Sequence, residues 1–141
     1  MVVIEMTLSL IKPDAVGKKL EGSVVSDIEA EDFEIIAQKK VILTENQTKL
    51  FYREHTEKQF FQELVDFMSN KPIVAQVLRK ENAVRAYRSL IGFTDPKIAE
   101  EGTIRRKYGT DITHNAVHGS DNVETSNREI HFFFSDLELY I

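Results

Sequence analysis

Met6-Thr7-Leu8-Ser9-Leu10-Ile11-Lys12-Pro13-Asp14 is the stretch on which the fold turns. From Met6 to Leu10 apolar and polar residues alternate, the period of a β-strand. Pro13 stops the ladder, because it has no N–H to donate. The strand thus runs into Ile11-Lys12-Pro13-Asp14 and ends there.

Outward from this strand the periods change. Leu20, Val24, Val25 and Ile28 follow helical spacing. Phe33, Ile35, Ala37, Val41 and Leu43 alternate again and predict a second strand. Thr44-Glu45-Asn46-Gln47 has the form of a capping box, so a short helix should run through Leu50 and Phe51. Phe61, Leu64, Val65 and Met68 mark another helix at i, i+3, i+4 and i+7. Ile73 to Leu78 reads as a third, apolar strand. Ala83, Val84, Tyr87, Leu90 and Ile91 make a helix closed by Gly92.

Residues 93–114 show no sustained period and predict a long irregular loop, the kind of segment that is usually functional or mobile. A short apolar run, Ala116-Val117, leads into His118-Gly119-Ser120-Asp121. Asp121 followed by Glu124 is a second cap-like pattern, opening a helix through Val123, Asn127 and Ile130. Phe132-Phe133-Phe134 should end the ordered part, leaving Ser135–Ile141 as a tail able to dock on a neighbour. The order β-α-β-(α)-α-β-α-β-α fits either a small α/β sheet or an α+β split βαβ sheet.

The 141 residues suit one domain, 1–141, and can bury a core without staples. There is no cysteine, hence no disulfide framework or thiol chemistry, which suits a reducing cytoplasm. MVVIEM is too short and too soon acidic for a secretory signal, and no apolar run is long enough to span a membrane. The net charge of −5 opposes general nucleic-acid binding. Residues 1–70 hold 8 Lys+Arg against 13 Asp+Glu, whereas residues 71–141 hold 10 of each and six of the seven arginines. A few of those converging would suffice for phosphate.

Of the four histidines, His55, His114, His118 and His131, only His118 has supporting context. It follows an apolar strand-like pair. It precedes Gly119, which permits close approach, and a helix N-terminus, which favours anions. There is no G-x-S-x-G elbow, Walker A sequence, G-x-G-x-x-G loop or H-E-x-x-H pair.

Asn115-Ala116-Val117-His118-Gly119-Ser120-Asp121 resembles the active-site signature of nucleoside diphosphate kinases. Thr7 to Val16 resembles that family's first strand and turn. Phe51-Tyr52, His55, Phe60-Phe61 and Leu64-Val65 resemble its lid helices. Glu81-Asn82-Ala83-Val84 with Arg88, then Gly102-Thr103-Ile104-Arg105, then Arg128-Glu129-Ile130, follow in family order over residues 6–134. Lys58-Gln59, Lys71, Asp95, Arg106-Lys107-Tyr108 and Asn122 depart from the usual pattern.

The resemblance implies an α+β fold: a ferredoxin-like split βαβ with a four-stranded antiparallel sheet covered by helices. It implies γ-phosphoryl transfer from a nucleoside triphosphate, typically ATP, to a diphosphate by a ping-pong route through phospho-His118, with little base selectivity. It makes Glu129 the carboxylate on the other ring nitrogen of His118. Tyr52 and Ser120 complete the catalytic set with Lys12. Arg88, Arg105 and Thr94 would hold phosphates. Lys12 and Asn115 would bond the sugar 3′-hydroxyl. Phe60 would stack on the base, flanked by Leu64 and Ile112. Mg²⁺ would arrive with the nucleotide, Asp121 touching it through water, with no metal site on the protein itself. A homo-oligomer follows too, a hexamer favoured over a tetramer, with the apolar tail residues Leu137, Leu139, Tyr140 and Ile141 as a second reason. The competing readings are a non-catalytic nucleotide-binding or regulatory module on the same fold, and a nucleic-acid binder.

Overall fold

The computed structural model describes residues 2–140. Its sheet has the order β2-β3-β1-β4, antiparallel throughout, which is the split βαβ topology. The strands are β1 (Ile4–Ile11), β2 (Glu34–Ile42), β3 (Pro72–Glu81) and β4 (Val117–Gly119). The central pair, β1 and β3, runs in register from Ile4 opposite Glu81 to Ile11 opposite Val74.

Both faces of the sheet are covered. Leu8, Leu10, Ile73, Ala75 and Val77 point to one face. There they meet α3 (Glu45–Phe51), α4 (Phe61–Met68) and α7 (Val123–Phe133) through Phe51, Leu64, Met68, Ile130 and Phe133. Ile11, Val74, Leu78 and Val117 point to the other. That face is covered by α1 (Pro13–Gly17), α2 (Glu21–Ala30), α5 (Ala83–Ile91) and α6 (Ile104–Tyr108). The polar positions of the opening segment, Thr7 and Ser9, are therefore buried rather than solvated. Ser9 Oγ donates to Gln76 Oε1 (2.9 Å) and shares a 2.7 Å hydrogen bond with the Tyr87 hydroxyl; Gln76 Nε2 donates to Gln38 Oε1 at 2.6 Å.

Local signals are met in detail at several places. The Thr44 capping box has both bonds: Gln47 N–H to Thr44 Oγ1 (3.1 Å) and Thr44 N–H to Gln47 Oε1 (2.9 Å). Gly92 ends α5 at φ 87°, where a Cβ would also lie 2.7 Å from Thr103 Oγ1.

Five local expectations need correction. Pro13 does more than stop β1, because it opens α1 from the first turn, where its missing N–H costs nothing. In β2 a bulge between Ile35 and Ala37 changes the face. Phe33 and Ile35 serve one core, whereas Ala37, Val41 and Leu43 serve the other. The loop over 93–114 is not wholly irregular, since α6 sits within it, capped by Thr103. The N-cap of α7 is Asn122, whose side chain accepts from Thr125 N–H at 2.8 Å; Asp121 instead pairs with Arg88. The chain stays ordered beyond Phe134. A 3₁₀ turn at Asp136–Glu138 is followed by Leu139 packed on the first core and a Tyr140 N–H bond to Ile36 O (3.2 Å). Ile141 lies outside the described residues.

Candidate active site

His118 sits mid-strand on β4, opposite Leu10, and so faces α3 and α7. The next residue must be small: a Cβ on Gly119 would lie 2.9 Å from the Tyr87 ring. The close approach expected at Gly119 is thus that of α5 packing beneath the strand.

The imidazole is fixed on three sides. Its Nε2 lies 2.8 Å from Glu129 Oε1, while Nδ1 makes no hydrogen bond among the described residues. Phe51 and Tyr52 meet the ring edge-on, at 5.5 and 6.2 Å between centroids. Glu129 is buried and its Oε1 also accepts from Ser120 Oγ at 2.7 Å. Ser120 Oγ in turn accepts from Leu8 N–H (3.3 Å), which ties the cluster to β1. Burial opposes the Glu129 charge. The His118 ring, the bonds from His118 and Ser120, and Arg128 together outweigh burial and hold the carboxyl below its usual range. Arg128 was not anticipated in this role. It lies 3.8 Å from Glu129 Oε2 and spans to Glu54 at 2.7 Å; adjacent helical positions carry no spacing signal that would reveal it. Burial pushes the Tyr52 phenol up, so that it stays protonated, and its hydroxyl has no partner among the described residues.

A second group lies at the end of β1. Lys12 Nζ donates to Asn115 Oδ1 (2.8 Å) and to Thr113 O (3.3 Å). The Asn115 amide donates to Thr94 O and Ile112 O, leaving only its oxygen for a ligand. Burial, then Arg105, lower the Lys12 ammonium to about 8. Arg105 is buried and braces two carbonyls, Gly92 O (3.2 Å) and Val117 O (3.0 Å), while its Nε has no partner among the described residues. Arg88 reaches Asp121 at 2.7 Å, with both side chains about half exposed.

The expected base-binding residues divide. Phe60, at the head of α4, is 42% exposed and lies 5.9 Å from His55, so it is not a core residue. Ile112 is exposed, whereas Leu64 belongs to the core and offers little surface to a ligand. A cavity of about 730 Å³ adjoins the cluster. Arg88, Thr94 and Asp121 are among its lining residues, but His118, Lys12 and Phe60 are not.

The departures from the family pattern have local partners. Arg106 donates to Lys97 O and Ala99 O, and Lys107 and Tyr108 both bond Asp27 of α2, so together they pin the long loop. Lys71 caps the end of α4 by donating to Asp66 O and Phe67 O. Asp95 Oδ1 accepts from Lys97 N–H. Lys58 Nζ stands 5.6 Å over the Phe60 ring.

Comparison with known proteins agrees with this geometry. The family model described as nucleoside diphosphate kinase matches residues 5–139. A nucleoside diphosphate kinase of Wolbachia pipientis is 52% identical over 136 residues, covering 96% of this chain and 98% of its own. Two solved structures superpose closely. That of a halophilic nucleoside diphosphate kinase from Halobacterium salinarum, in complex with CDP, gives a TM-score of 0.94 at 38% identity over 99% of this chain and 93% of that one. A transition-state mimic of the Borrelia burgdorferi enzyme with vanadate and ADP gives 0.92 at 29%, over 98% and 91%. With this family matched over nearly its whole length, and with a histidine whose one ring nitrogen is held by a buried carboxylate, the chain belongs to the nucleoside diphosphate kinase family.

Proposed function

We propose that residues 1–141 form one nucleoside diphosphate kinase domain that works by ping-pong transfer through Nδ1 of His118. The observation that carries this is the 2.8 Å bond between Nε2 and Glu129, which leaves Nδ1 the free nitrogen. With the Nε2 proton held by the carboxylate, Nδ1 keeps its lone pair. That pair attacks the γ-phosphorus; the bond from phosphorus to the β,γ-bridging oxygen breaks, and the nucleoside diphosphate leaves with the electron pair. A second diphosphate enters, its terminal phosphate oxygen attacks the phosphorus on His118, and the P–N bond breaks to restore the imidazole. Glu129 stabilises the positive charge that develops on the ring, following triad logic. Ser120 orients Glu129, and Tyr52 packs against the ring.

Arg88, Arg105 and Thr94 bind phosphate oxygens, with Arg88 exchanging Asp121 for the ligand. Lys12 and Asn115 Oδ1 bond the 3′-hydroxyl, and Lys12 adds a point charge near the transferring group. The exposed Phe60 ring stacks on the base, with Ile112 and the edge of Leu64 beside it. Asp121, half exposed and lining the cavity beside Arg88, would touch Mg²⁺ through water, and the phosphates would supply most of the oxygen ligands that ion needs. When bound it neutralises phosphate charge.

The apolar Leu137 and Tyr140, exposed on one copy of the chain, support a homo-oligomer, a hexamer before a tetramer. A monomeric mass by light scattering would contradict that. The absence of cysteine supports a cytoplasmic setting; among the described residues no helix is long and apolar enough to cross a membrane. The decisive experiment is incubation with γ-labelled ATP. The protein should acquire acid-labile, base-stable label, and His118→Ala should take none while remaining folded. Equal labelling of that variant would remove His118 as the carrier.

A further inference from the structure

We infer that Asp14 is a positioning residue for the reaction, holding Ala116 in the turn that delivers both Asn115 and His118. Ala116 has φ 73°, a left-handed conformation that glycine adopts freely and alanine resists. Across it Val117 N–H donates to Asn115 O at 2.8 Å, closing a γ-turn of the rare, strained hand. Two bonds from the 12–14 segment clamp this turn. Lys12 N–H donates to Ala116 O at 2.8 Å, and Asp14 Oδ2 accepts from Ala116 N–H at 3.0 Å. The first uses backbone that any residue supplies. The second depends on the side chain of Asp14, fixed in the first turn of α1.

The turn lies between two groups of the proposed site. One residue before Ala116, Asn115 binds Lys12 Nζ; two residues after it, His118 binds Glu129. A relaxed Ala116 would rotate the first relative to the second, and small displacements of reacting groups cost rate steeply. Asp14 has a second effect through charge. Arg105 from α6 faces Lys12 and lowers its proton affinity; Asp14 from α1 and Asp111 from the loop before β4 raise it. Glu63 of α4 bonds Thr113, whose carbonyl accepts from Lys12. The other carboxylate oxygen of Asp14 is buried without a hydrogen-bond partner among the described residues.

The inference rests on His118 as phosphoryl carrier, which labelling of the parent protein tests alone. The variants test Asp14. Asp14→Ala should lower kcat by about tenfold or more, the scale of a misplaced reacting group. Adding Ala116→Gly should restore at least about threefold of it, because glycine needs no clamp to hold a positive φ. Asp14→Asn keeps an acceptor for Ala116 N–H, so its kcat near pH 6.5 should stay within about threefold of the parent. It lacks the charge, so the alkaline limb of its kcat/KM profile should move to lower pH. If Asp14→Ala does not fold by circular dichroism, the Asn limb decides. Parent-like kcat in Asp14→Ala, no gain from Ala116→Gly in that background, or an unmoved limb in Asp14→Asn would each overturn the assignment.

Discussion

Replacing Glu129 by Gln isolates the charge of the carboxylate from its shape. Both hydrogen bonds to Glu129, from His118 Nε2 (2.8 Å) and Ser120 Oγ (2.7 Å), end on the same oxygen, Oε1. A glutamine carbonyl placed there accepts both, so the tautomer that frees Nδ1 survives. Its amide nitrogen takes the place of Oε2, 3.8 Å from Arg128 Nη2, where donor would face donor at a tolerable distance. What disappears is the negative charge against a ring that, in the proposed transfer, becomes positive as phosphorus bonds to Nδ1. A hydrogen bond to a charged group contributes about 1.5–3 kcal/mol and one to a neutral group about 0.5–1.5, so the charge is worth about 1–1.5 kcal/mol. At about 1.36 kcal/mol per decade, Glu129→Gln should slow phosphorylation roughly five- to thirteenfold. Glu129→Ala should be slower again, because it leaves the imidazole tautomer unset and Ser120 without its acceptor. The chain has no tryptophan, so rapid-quench capture of labelled phosphoenzyme is the direct assay. A Gln variant within about twofold of the parent, or slower than Ala with both folded, would refute the reasoning, since the charge term would then be near zero.

Other outcomes follow from the same geometry. The proposed stacking on Phe60 would use a face that every base has, so ADP, GDP, CDP, UDP and TDP should differ in kcat/KM by roughly one or two powers of ten. A 3′-deoxy diphosphate should fall well below that band, having nothing to offer Lys12 and Asn115; a parent-like value for it would contradict their assignment. Lys12 has a folded pKa of about 8 against 10.5 ordinarily, so kcat/KM of the free enzyme should decline as pH rises past about 8. Between those values the native state binds fewer protons than the unfolded chain, so this group makes stability increase with pH while activity falls. Lys12→Met should remove both trends, as rate profiles and melting temperatures from pH 6.5 to 10 would reveal.

How much of this was legible in the sequence differs by element. The strand ending at Ile11, the Thr44 capping box, the helices over Phe61–Met68 and Ala83–Ile91, and His118 at the end of a short apolar run were readable because each is local: a period, a cap or a breaker within a few residues. Glu129 and Lys12 needed the family resemblance, since the contacts His118–Glu129 and Lys12–Asn115 span 11 and 103 positions. The β2 bulge left no mark because Phe33, Ile35, Ala37, Val41 and Leu43 are apolar on either face when both are covered. Five-residue α6 is held mainly by tertiary bonds from Arg105 and Arg106, and Thr103 lacks the acidic or amide partner three residues on that would announce a box. Asp121 and Asn122 are both good N-caps, and only the pairing of Asp121 with Arg88 separates them.

The buried line of Ser9, Gln76 and Tyr87, continued to the surface by the exposed Gln38, has a consequence for how the sheet assembles. From Ile73 to Leu78 β3 is apolar apart from Gln76, and with helices on both sides an apolar side chain is welcome facing either way. Hydrophobicity alone would therefore let β1 slide along β3. A shift of one residue would turn Gln76 and Ser9 away from each other, stranding buried donors and acceptors in hydrocarbon at about 1–3 kcal/mol apiece. The polar thread acts as the key of a lock, rejecting misaligned pairings during folding and so fixing where the end of β1 comes to rest beside β4.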